Sequence, residues 1–412
     1  MNDNKIEIMA PVGSYEALSS AINSGAGSVY FGIDRLNMRS KSSVNFSFDD
    51  LKQISEICHQ NNVKSYITLN TVMYDEDYEL ACEIIRQAKN NGISAVIASD
   101  ISVIDYAREQ NVEVHISTQL NISNAGAVKY YSRYADVIVL ARELNLSQVS
   151  SISNYIKEND IRGPKGELVR IEMFVHGALC MAVSGKCYLS LHEYNKSANR
   201  GSCLQNCRRS YLVTDSETGA ELEIDNEYIM SPKDLKTIHF LDKILDAGVS
   251  VLKIEGRGRS PEYVKTTVEC YHEAVDAYLA GAYTDEKIEY WNTRLSQVYN
   301  RGFWDGYYLG QKLGEWSSKY GSHSTKVKTY IGDITNYFKK SSVAKITLKS
   351  AGLNVGDEIM IIGPTTGVIE TKILEIRKEL ETVSEAYKGD VISIPSEKVL
   401  RRSDKVYLWA DK

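Results

Sequence analysis

Short apolar runs alternate with longer amphipathic stretches through the first two thirds of the chain. The stretches between the runs, such as residues 48–61, 77–91 and 147–157, have helical periodicity. The runs are typical of strands buried on both faces of a parallel sheet. The alternation predicts an α/β fold, a (β/α)8 TIM-like barrel over residues 1–320, with an open doubly wound sheet as the alternative. The eight runs are residues 6–9, 28–31, 65–69, 95–98, 113–116, 137–140, 170–175 and 249–254.

The pattern changes near Ser324, where short strand-like runs replace the alternation. Turn sequences rich in glycine, such as Gly363-Pro-Thr-Thr-Gly367, separate these runs. The pattern predicts a small all-β barrel domain over residues 324–412. Its predicted strands are residues 325–331, 342–348, 358–362, 368–376, 390–394 and 405–409.

Composition narrows the class of protein without identifying it. The chain has 412 residues, 43% apolar and 25% charged, which is ordinary for a soluble protein. A net charge of −6 argues against a surface coated in positive charge for non-specific nucleic-acid binding, while a local basic face remains open. No run has the length of a secretory core region or of a membrane span. We therefore expect a cytoplasmic protein without a membrane partner.

Four of the seven cysteines lie within 28 residues, in a long segment after the seventh predicted strand. They are Cys180, Cys187, Cys203 and Cys207, and the segment, residues 177–228, is called the cysteine loop below. Structural zinc usually takes tighter pairs than this Cys-x6-Cys-x15-Cys-x3-Cys spacing. An iron–sulfur cluster tolerates irregular spacing because its irons lie at different corners. Zinc and buried or redox-active thiols remain the alternatives.

Polar residues follow the predicted strands at the end where a β/α barrel carries its chemistry. Ordinary turn residues are the alternative at each single position. Lys253, Glu255 and Arg257 alternate, so they share one face and either bind a ligand or form an internal ion-pair network. The full set of candidates at these ends comprises Asn70, Gln119, Arg142, Glu143, His176, Lys253, Glu255 and Arg257.

Several motifs resemble the U32 family, historically labelled collagenase-like peptidases. The most specific is Glu172-x-Phe-x-His-Gly-Ala-Leu-Cys180-x6-Cys187, and the resemblance covers nearly the whole chain. Other motifs that carry it are Met9-Ala-Pro-Val-Gly-Ser-Tyr, Ser231-Pro-Lys-Asp-Leu, Lys253-Ile-Glu-Gly-Arg257 and Asn300-Arg-Gly-Phe.

The resemblance implies an iron–sulfur protein that supports oxygen-independent hydroxylation. One branch of the family forms 5-hydroxyuridine at the wobble position of tRNA, with prephenate implicated as the oxygen source. Another branch hydroxylates a cytidine of 23S rRNA, and a third serves ubiquinone synthesis. The C-terminal β domain favours the tRNA branch, so tRNA is the expected partner. A peptidase, an rRNA hydroxylase and a non-catalytic cluster-carrying scaffold remain alternatives.

The resemblance implies the cluster ligands, and from it we assign roles to the other candidate residues. A 4Fe-4S cluster would sit on the four cysteines of the loop. Proton transfer would fall to His176, Glu143 and Glu255. We expect the β domain to help to hold tRNA with Lys339, Lys340, Arg401 and Arg402, and a stabilising or oligomerising appendage is the alternative. Prephenate, a small dicarboxylate that suits arginine forks, would be bound by Arg39, Asn70, Gln119, Arg142, Lys253 and Arg257.

Overall fold

Eight parallel strands close into a barrel. The computed structural model describes residues 6–41, 45–212, 214–219, 230–311, 314–379 and 381–412. The strands of this sheet are β1 (Glu7–Pro11), β2 (Ser28–Phe31), β3 (Lys64–Leu69), β4 (Ala95–Ala98), β5 (Val114–Ile116), β6 (Val137–Val139), β7 (Arg170–Gly177), β8 (Asp234–Lys236), β9 (Val249–Ile254) and β10 (Phe303–Trp304). Ladders join β1 to β9 and β7 to β9, which closes the ring and excludes the open sheet.

Two short strands extend the barrel sheet beyond the predicted eight. Strand β8 pairs antiparallel with the end of β7, where His176 lies opposite Lys236. Strand β10 continues from β8 in parallel. With three and two residues, these strands are too short to show a periodicity in the sequence.

Helices surround the barrel, and the main core lies between them and the strands. Local sequence fixes several helix starts: Ser14 caps α1 (Tyr15–Asn23), and Asn145 forms a capping box with Gln148 at α6 (Leu146–Glu158). The barrel interior is a smaller layer of Met, Tyr, Ala, Ile and Val. The helices are α1 (Tyr15–Asn23), α2 (Asp50–Gln60), α3 (Asp75–Asn90), α4 (Ile101–Glu109), α5 (Ala125–Tyr131), α6 (Leu146–Glu158), α7 (Leu189–Tyr194), α8 (Leu241–Asp246), α9 (Pro261–Leu279) and α10 (Asp285–Gln297).

The C-terminal region is built from antiparallel sheets with a core of their own. Eight strands follow the order β15-β14-β20-β11-β12-β19-β16-β17, and β13 pairs with β18. The predicted run 368–376 divides into two strands around the exposed Leu374. The strands are β11 (Lys326–Phe338), β12 (Val343–Leu348), β13 (Leu353–Asn354), β14 (Glu358–Gly363), β15 (Gly367–Lys372), β16 (Ile376–Lys378), β17 (Glu381–Val383), β18 (Glu385–Ala386), β19 (Val391–Pro395) and β20 (Lys405–Asp411).

The β sheet packs against the side of the barrel, on α1 and α9. Ser19 donates a hydrogen bond to the Pro364 carbonyl oxygen at 2.5 Å. Two ion pairs cross the same boundary, Lys265–Glu370 at 3.2 Å and Lys328–Glu262 at 2.8 Å. These contacts lie on the side of the barrel, whereas the cysteine loop lies at the carboxyl ends of the barrel strands.

Candidate functional site: the rim cavity

A cavity of about 250 Å³ opens at the carboxyl ends of the barrel strands, and it is called the rim cavity below. All four loop cysteines line it. So do Lys253, Glu255 and Arg257, which share one face as their alternation predicts. The other predicted site residues in its wall are Arg39, Asn70, Gln119 and Arg142.

His176 does not line the rim cavity. The β7–β9 register shifts between Phe174 and His176, and this irregularity changes the direction of the strand after Phe174. The imidazole packs instead against Tyr263, Tyr271 and Phe303, with Nδ1 3.4 Å from the Tyr271 hydroxyl. Burial, with the nearby charges of two cations, lowers its pKa to about 3. His176 is therefore a neutral, buried ring at neutral pH.

Glu143 is also absent from the rim cavity. Its side chain is exposed, although it follows β6 at the expected end of the barrel. Glu255 is thus the one predicted proton-transfer residue that the described structure brings to the cavity wall.

Asn199 anchors the cysteine loop next to Cys187. The Asn199 side chain accepts a hydrogen bond from the Cys187 amide at 3.1 Å and donates one to its carbonyl oxygen at 3.2 Å. The backbone carbonyl of Asn199 accepts from the Val72 amide at 3.0 Å. Cys187 is therefore held in place relative to the loop after β3.

Arg200 also anchors the cysteine loop, and its side chain does not line the rim cavity. Its guanidinium pairs with Asp77 at 2.5 Å and lies 3.7 Å from the Tyr74 ring centroid. The neighbouring Gly201 has φ +81°, and an added Cβ would lie 2.5 Å from the Asn37 carbonyl oxygen. Only glycine allows this close approach of the cysteine loop to the loop after β2. Residues 213 and 220–228 of the cysteine loop lie outside the described residues.

The four loop cysteines are free and form a group around one cavity. Burial raises the pKa of the Cys207 thiol to about 11 and raises that of Cys187 as well. Thiolates here would need a cation to stabilise them. Among the described residues, no three His, Cys, Asp or Glu side chains are placed to hold a single metal ion. Four thiols spread around a cavity fit a group with several metal atoms, each of which takes one ligand.

The wall of the rim cavity carries a surplus of positive charge. Glu255 is the only acidic residue among its described lining residues, and it pairs with Arg39 at 2.9 Å. Burial alone would raise the pKa of Glu255, but the guanidinium groups of Arg39, Arg142 and Arg257 lower it to about 2. The carboxylate is therefore ionised, and it offsets only part of the positive charge.

Four guanidinium groups in the wall make no ion pair with a described carboxylate: Arg142, Arg208, Arg257 and Arg259. Arg257 donates to Thr68 at 2.7 Å and to Asn37 at 3.0 Å, both neutral acceptors, and burial lowers its pKa to about 10. The Nε atom of Arg142 is buried without a hydrogen-bond partner in the described structure. Buried cations paired with neutral groups favour an anionic ligand.

Some residues at this site were not predicted from the sequence. Arg259 continues the alternation of Lys253 to Arg257, and Arg301 belongs to a motif already quoted, so both had a signal. Asn37 is fully buried and bonds both Arg257 and the Arg39 amide. Nothing in its local sequence indicates this, because the contact depends on how the loop after β2 folds back.

The family can be assigned by comparison with known proteins. The model of peptidase family U32 matches residues 13–318. The chain belongs to peptidase family U32. Two relatives are similar over nearly their whole length. A protein named collagenase from Porphyromonas gingivalis is 60% identical, over 99% of this chain and 98% of its own. A tRNA hydroxylation protein of Bacillus subtilis is 32% identical, over 92% of this chain and 89% of its own.

A third U32 relative is matched over part of its length. The 23S rRNA 5-hydroxycytidine synthase of Escherichia coli is 31% identical over 76% of this chain and 47% of its own. The names of these relatives therefore include RNA hydroxylation and proteolysis. In the described part of this U32 chain, no helix is both long and apolar enough to cross a membrane.

Proposed function

We propose that this U32 protein is an iron–sulfur-dependent, oxygen-independent tRNA hydroxylation enzyme that forms 5-hydroxyuridine at the wobble position, with prephenate as co-substrate. The observation that carries the proposal is the shared cavity, where four free thiols and a surplus of buried cations face the same space. Four thiols around one cavity suit a metal cluster, and the buried cations suit a small dianion.

Cys180, Cys187, Cys203 and Cys207 would hold a 4Fe-4S cluster. When bound, such a cluster supplies a one-electron or Lewis-acid centre at the cavity wall. The chain itself contributes the fixed position of Cys187, through Asn199, and the close passage of the loop at Gly201. Arg208 donates to the Leu179 carbonyl oxygen at 2.6 Å and so ties the loop segment before Cys180 to the segment after Cys207.

Prephenate would bind to the guanidinium groups that lack a carboxylate partner. Its two carboxylates match two arginine forks, for which Arg142 and Arg257 are the best placed of the predicted binding residues. The amide side chains of Asn70 and Gln119, joined by a hydrogen bond of 3.1 Å, offer neutral polar contacts in the same wall. Arg39 orients Glu255, which would act as a proton acceptor in the cavity wall.

The tRNA would present a flipped-out uridine to this recessed cavity. The names of the Bacillus subtilis and Escherichia coli relatives support RNA as the substrate class. Lys339, Lys340, Arg401 and Arg402 of the β domain are exposed and remain candidates for phosphate contacts.

Mass spectrometry of tRNA nucleosides tests this function. A strain that lacks the gene, and any paralogue, should lose 5-hydroxyuridine and its derivatives. Wild-type protein should restore them, and Cys187→Ala should not. A matched control is Cys82→Ala, which removes a buried cysteine of α3 outside the rim cavity. Unchanged 5-hydroxyuridine in the deletion strain would overturn the tRNA proposal.

A peptidase is the second candidate, because the 60% identical relative is named collagenase. A cysteine peptidase needs an imidazole beside its thiol. No histidine lines the rim cavity among the described residues, which favours hydroxylation. Cleavage of gelatin by purified protein that carries no iron, and its loss in Cys187→Ala, would instead support the peptidase.

A further inference from the structure

A line of titratable side chains runs through the barrel core from its amino-terminal end to the rim cavity. At the outer end, Glu113 precedes β5, is 15% exposed and pairs with Lys165 at the surface. Next comes His115, fully buried, with Nε2 3.3 Å from Glu113 Oε1. Its other nitrogen, Nδ1, lies 3.9 Å from Glu172 Oε2 on β7.

The inner end of the line reaches the rim cavity. Glu172 Oε1 accepts a hydrogen bond of 2.6 Å from Lys253 Nζ, and both side chains are almost fully buried. Lys253 lines the cavity wall. The four side chains therefore connect solvent at one end of the barrel with the candidate site at the other.

The gap between His115 and Glu172 distinguishes this line from a static ion-pair network. His115 Nδ1 and Glu172 Oε2 face each other, and each is buried without a hydrogen-bond partner in the described structure. Such unsatisfied atoms cost free energy in a fixed network. A small movement of the imidazole closes the gap and forms the missing hydrogen bond.

Glu7, a second buried carboxylate in the same barrel, belongs to an ion-pair network with no such gap. Glu7 receives Arg170 at 2.9 Å, Lys64 at 3.2 Å and the Tyr66 hydroxyl at 2.7 Å. No Glu7 oxygen is left without a partner in the described structure. Glu7 thus offers a control with comparable burial and charge outside the line.

Aromatic and apolar groups enclose the line on its other sides. The Tyr66 ring centroid lies 4.5 Å from that of His115, while the hydroxyl of Tyr66 is engaged with Glu7. The Tyr30 and Phe174 rings lie 4.7 and 5.4 Å from Lys253 Nζ. The remaining interior layer includes the apolar side chains of Met9, Ile97, Val137 and Val251. In the described core, Glu7 is the further charged group that interacts with His115, and Glu7 is itself paired with Arg170 and Lys64.

We propose that Glu113, His115, Glu172 and Lys253 form a proton relay between solvent and the rim cavity. When the Lys253 ammonium gives a proton to a basic atom in the cavity, Glu113 passes a proton from solvent to His115 Nε2. The imidazolium then releases its Nδ1 proton to Glu172, and Glu172 passes it to Lys253. Each transfer breaks one N–H or O–H bond and forms another, and it leaves His115 as the Nε2–H tautomer. Transfer in the opposite direction restores the Nδ1–H tautomer. The relay goes beyond the proposed function, since it holds for any reaction that takes up and returns protons in the cavity.

Proton exchange of the buried imidazoles tests the relay without an activity assay. With ¹⁵N-labelled histidine, NMR resolves ring N–H exchange with water for His115 and for His176. Both rings are buried, but His176 lies among aromatic rings outside the line. The relay predicts that His115 exchanges about tenfold or more faster than His176, because it needs no opening of the barrel.

Variants then separate the solvent end of the relay from the end at the rim cavity. Glu113→Gln leaves exchange through Glu172 and Lys253, and Glu172→Gln leaves exchange through Glu113. The double variant should therefore exchange about tenfold more slowly than either single variant, at a rate near that of His176. Glu7→Gln should leave the His115 rate unchanged. If Glu172→Gln does not fold alone, Glu172→Gln with Lys253→Met breaks the same link without an unpaired buried ammonium.

Three results would overturn the relay. In the first, His115 exchanges as slowly as His176 in the wild-type protein. In the second, Glu113→Gln alone reduces exchange to the His176 rate, which would show that no path leads on to the cavity. In the third, Glu7→Gln slows His115 as much as Glu113→Gln does, which would show general loosening or tightening of the core rather than a relay.

Discussion

At the scale of single residues, alternation along a strand predicted the residues of the site better than closeness to the cysteines in the sequence. Lys253, Glu255 and Arg257 all reach the rim cavity because β9 and the residues after it keep their alternation. On β7, Phe174 lines the rim cavity, but the register with β9 shifts after Phe174 and His176 does not line it. Such an irregularity depends on the pairing with β9, so the sequence of β7 alone could not show it.

Glu255 should stabilise the fold as well as the site. The guanidinium groups around it hold its pKa at about 2, below the ordinary value of 4.5. Its contribution is therefore present above about pH 4.5 and lost as the pH falls towards 2. We expect Glu255→Gln to lower the free energy of unfolding at pH 7 by about 3 kcal/mol.

Urea unfolding at pH 7 and at pH 3 measures this effect. The difference between wild type and Glu255→Gln should be smaller at pH 3. The control is Glu143→Gln, an exposed glutamate next to the same strand ends, which should change stability little. Equal destabilisation at both pH values would contradict the ionised pair with Arg39.

His176 should be dispensable for catalysis. Its ring is buried among Tyr263, Tyr271 and Phe303, and its pKa of about 3 keeps it neutral. We expect His176→Phe to keep tRNA modification in complemented cells, with a stability loss of about 1 kcal/mol from imperfect repacking. Loss of modification at an unchanged melting temperature would show instead that the imidazole acts in the reaction.

At the scale of elements, the long buried strands were predictable and the short ones were not. The eight barrel strands give apolar runs because helices and interior cover both their faces. Strands β8 and β10 have three and two residues and are set by pairing with β7 and with each other. The cysteine loop was predictable as a candidate site from its thiols, but the side chains that anchor its described part were not.

Asn199 gives the cysteine loop a testable anchor. Asn199→Asp keeps the acceptor for the Cys187 amide and removes the donor to its carbonyl oxygen. We expect the affinity of the loop for the proposed iron–sulfur cluster to fall about tenfold, as for other residues that orient metal ligands. Iron content after anaerobic dialysis against a chelator measures it. Asn195→Asp, at an exposed position of the same loop, is the control, and an equal loss of iron in both variants would contradict the anchor.

At the scale of the whole molecule, the fold class and the family followed from the sequence, whereas the docking of the two parts did not. Closure of the barrel rests on the ladders from β9 to β1 and β7, which a single chain pattern cannot show. The β sheet meets the barrel through contacts such as the hydrogen bond from the Ser19 hydroxyl to the Pro364 carbonyl oxygen, which have no sequence signature.

Gly367 should decide whether the two parts unfold together. Its φ is +69°, and an added Cβ would lie 3.1 Å from the Ser20 nitrogen on α1. We expect Gly367→Val to split the calorimetric unfolding transition in two, because the contact with α1 is lost. Gly389→Val is the matched control: its φ of +97° brings similar strain, but no atom lies within 4 Å. A split in both variants would contradict a specific role of this contact.

The most direct test of the rim cavity as an iron–sulfur site is Mössbauer spectroscopy of protein purified without oxygen from cells grown on ⁵⁷Fe, with iron and sulfide assayed on the same sample. The result that we predict is about four irons and four sulfides per chain with the spectrum of a four-iron cluster, absent in Cys187→Ala. One zinc per chain and no iron would contradict it.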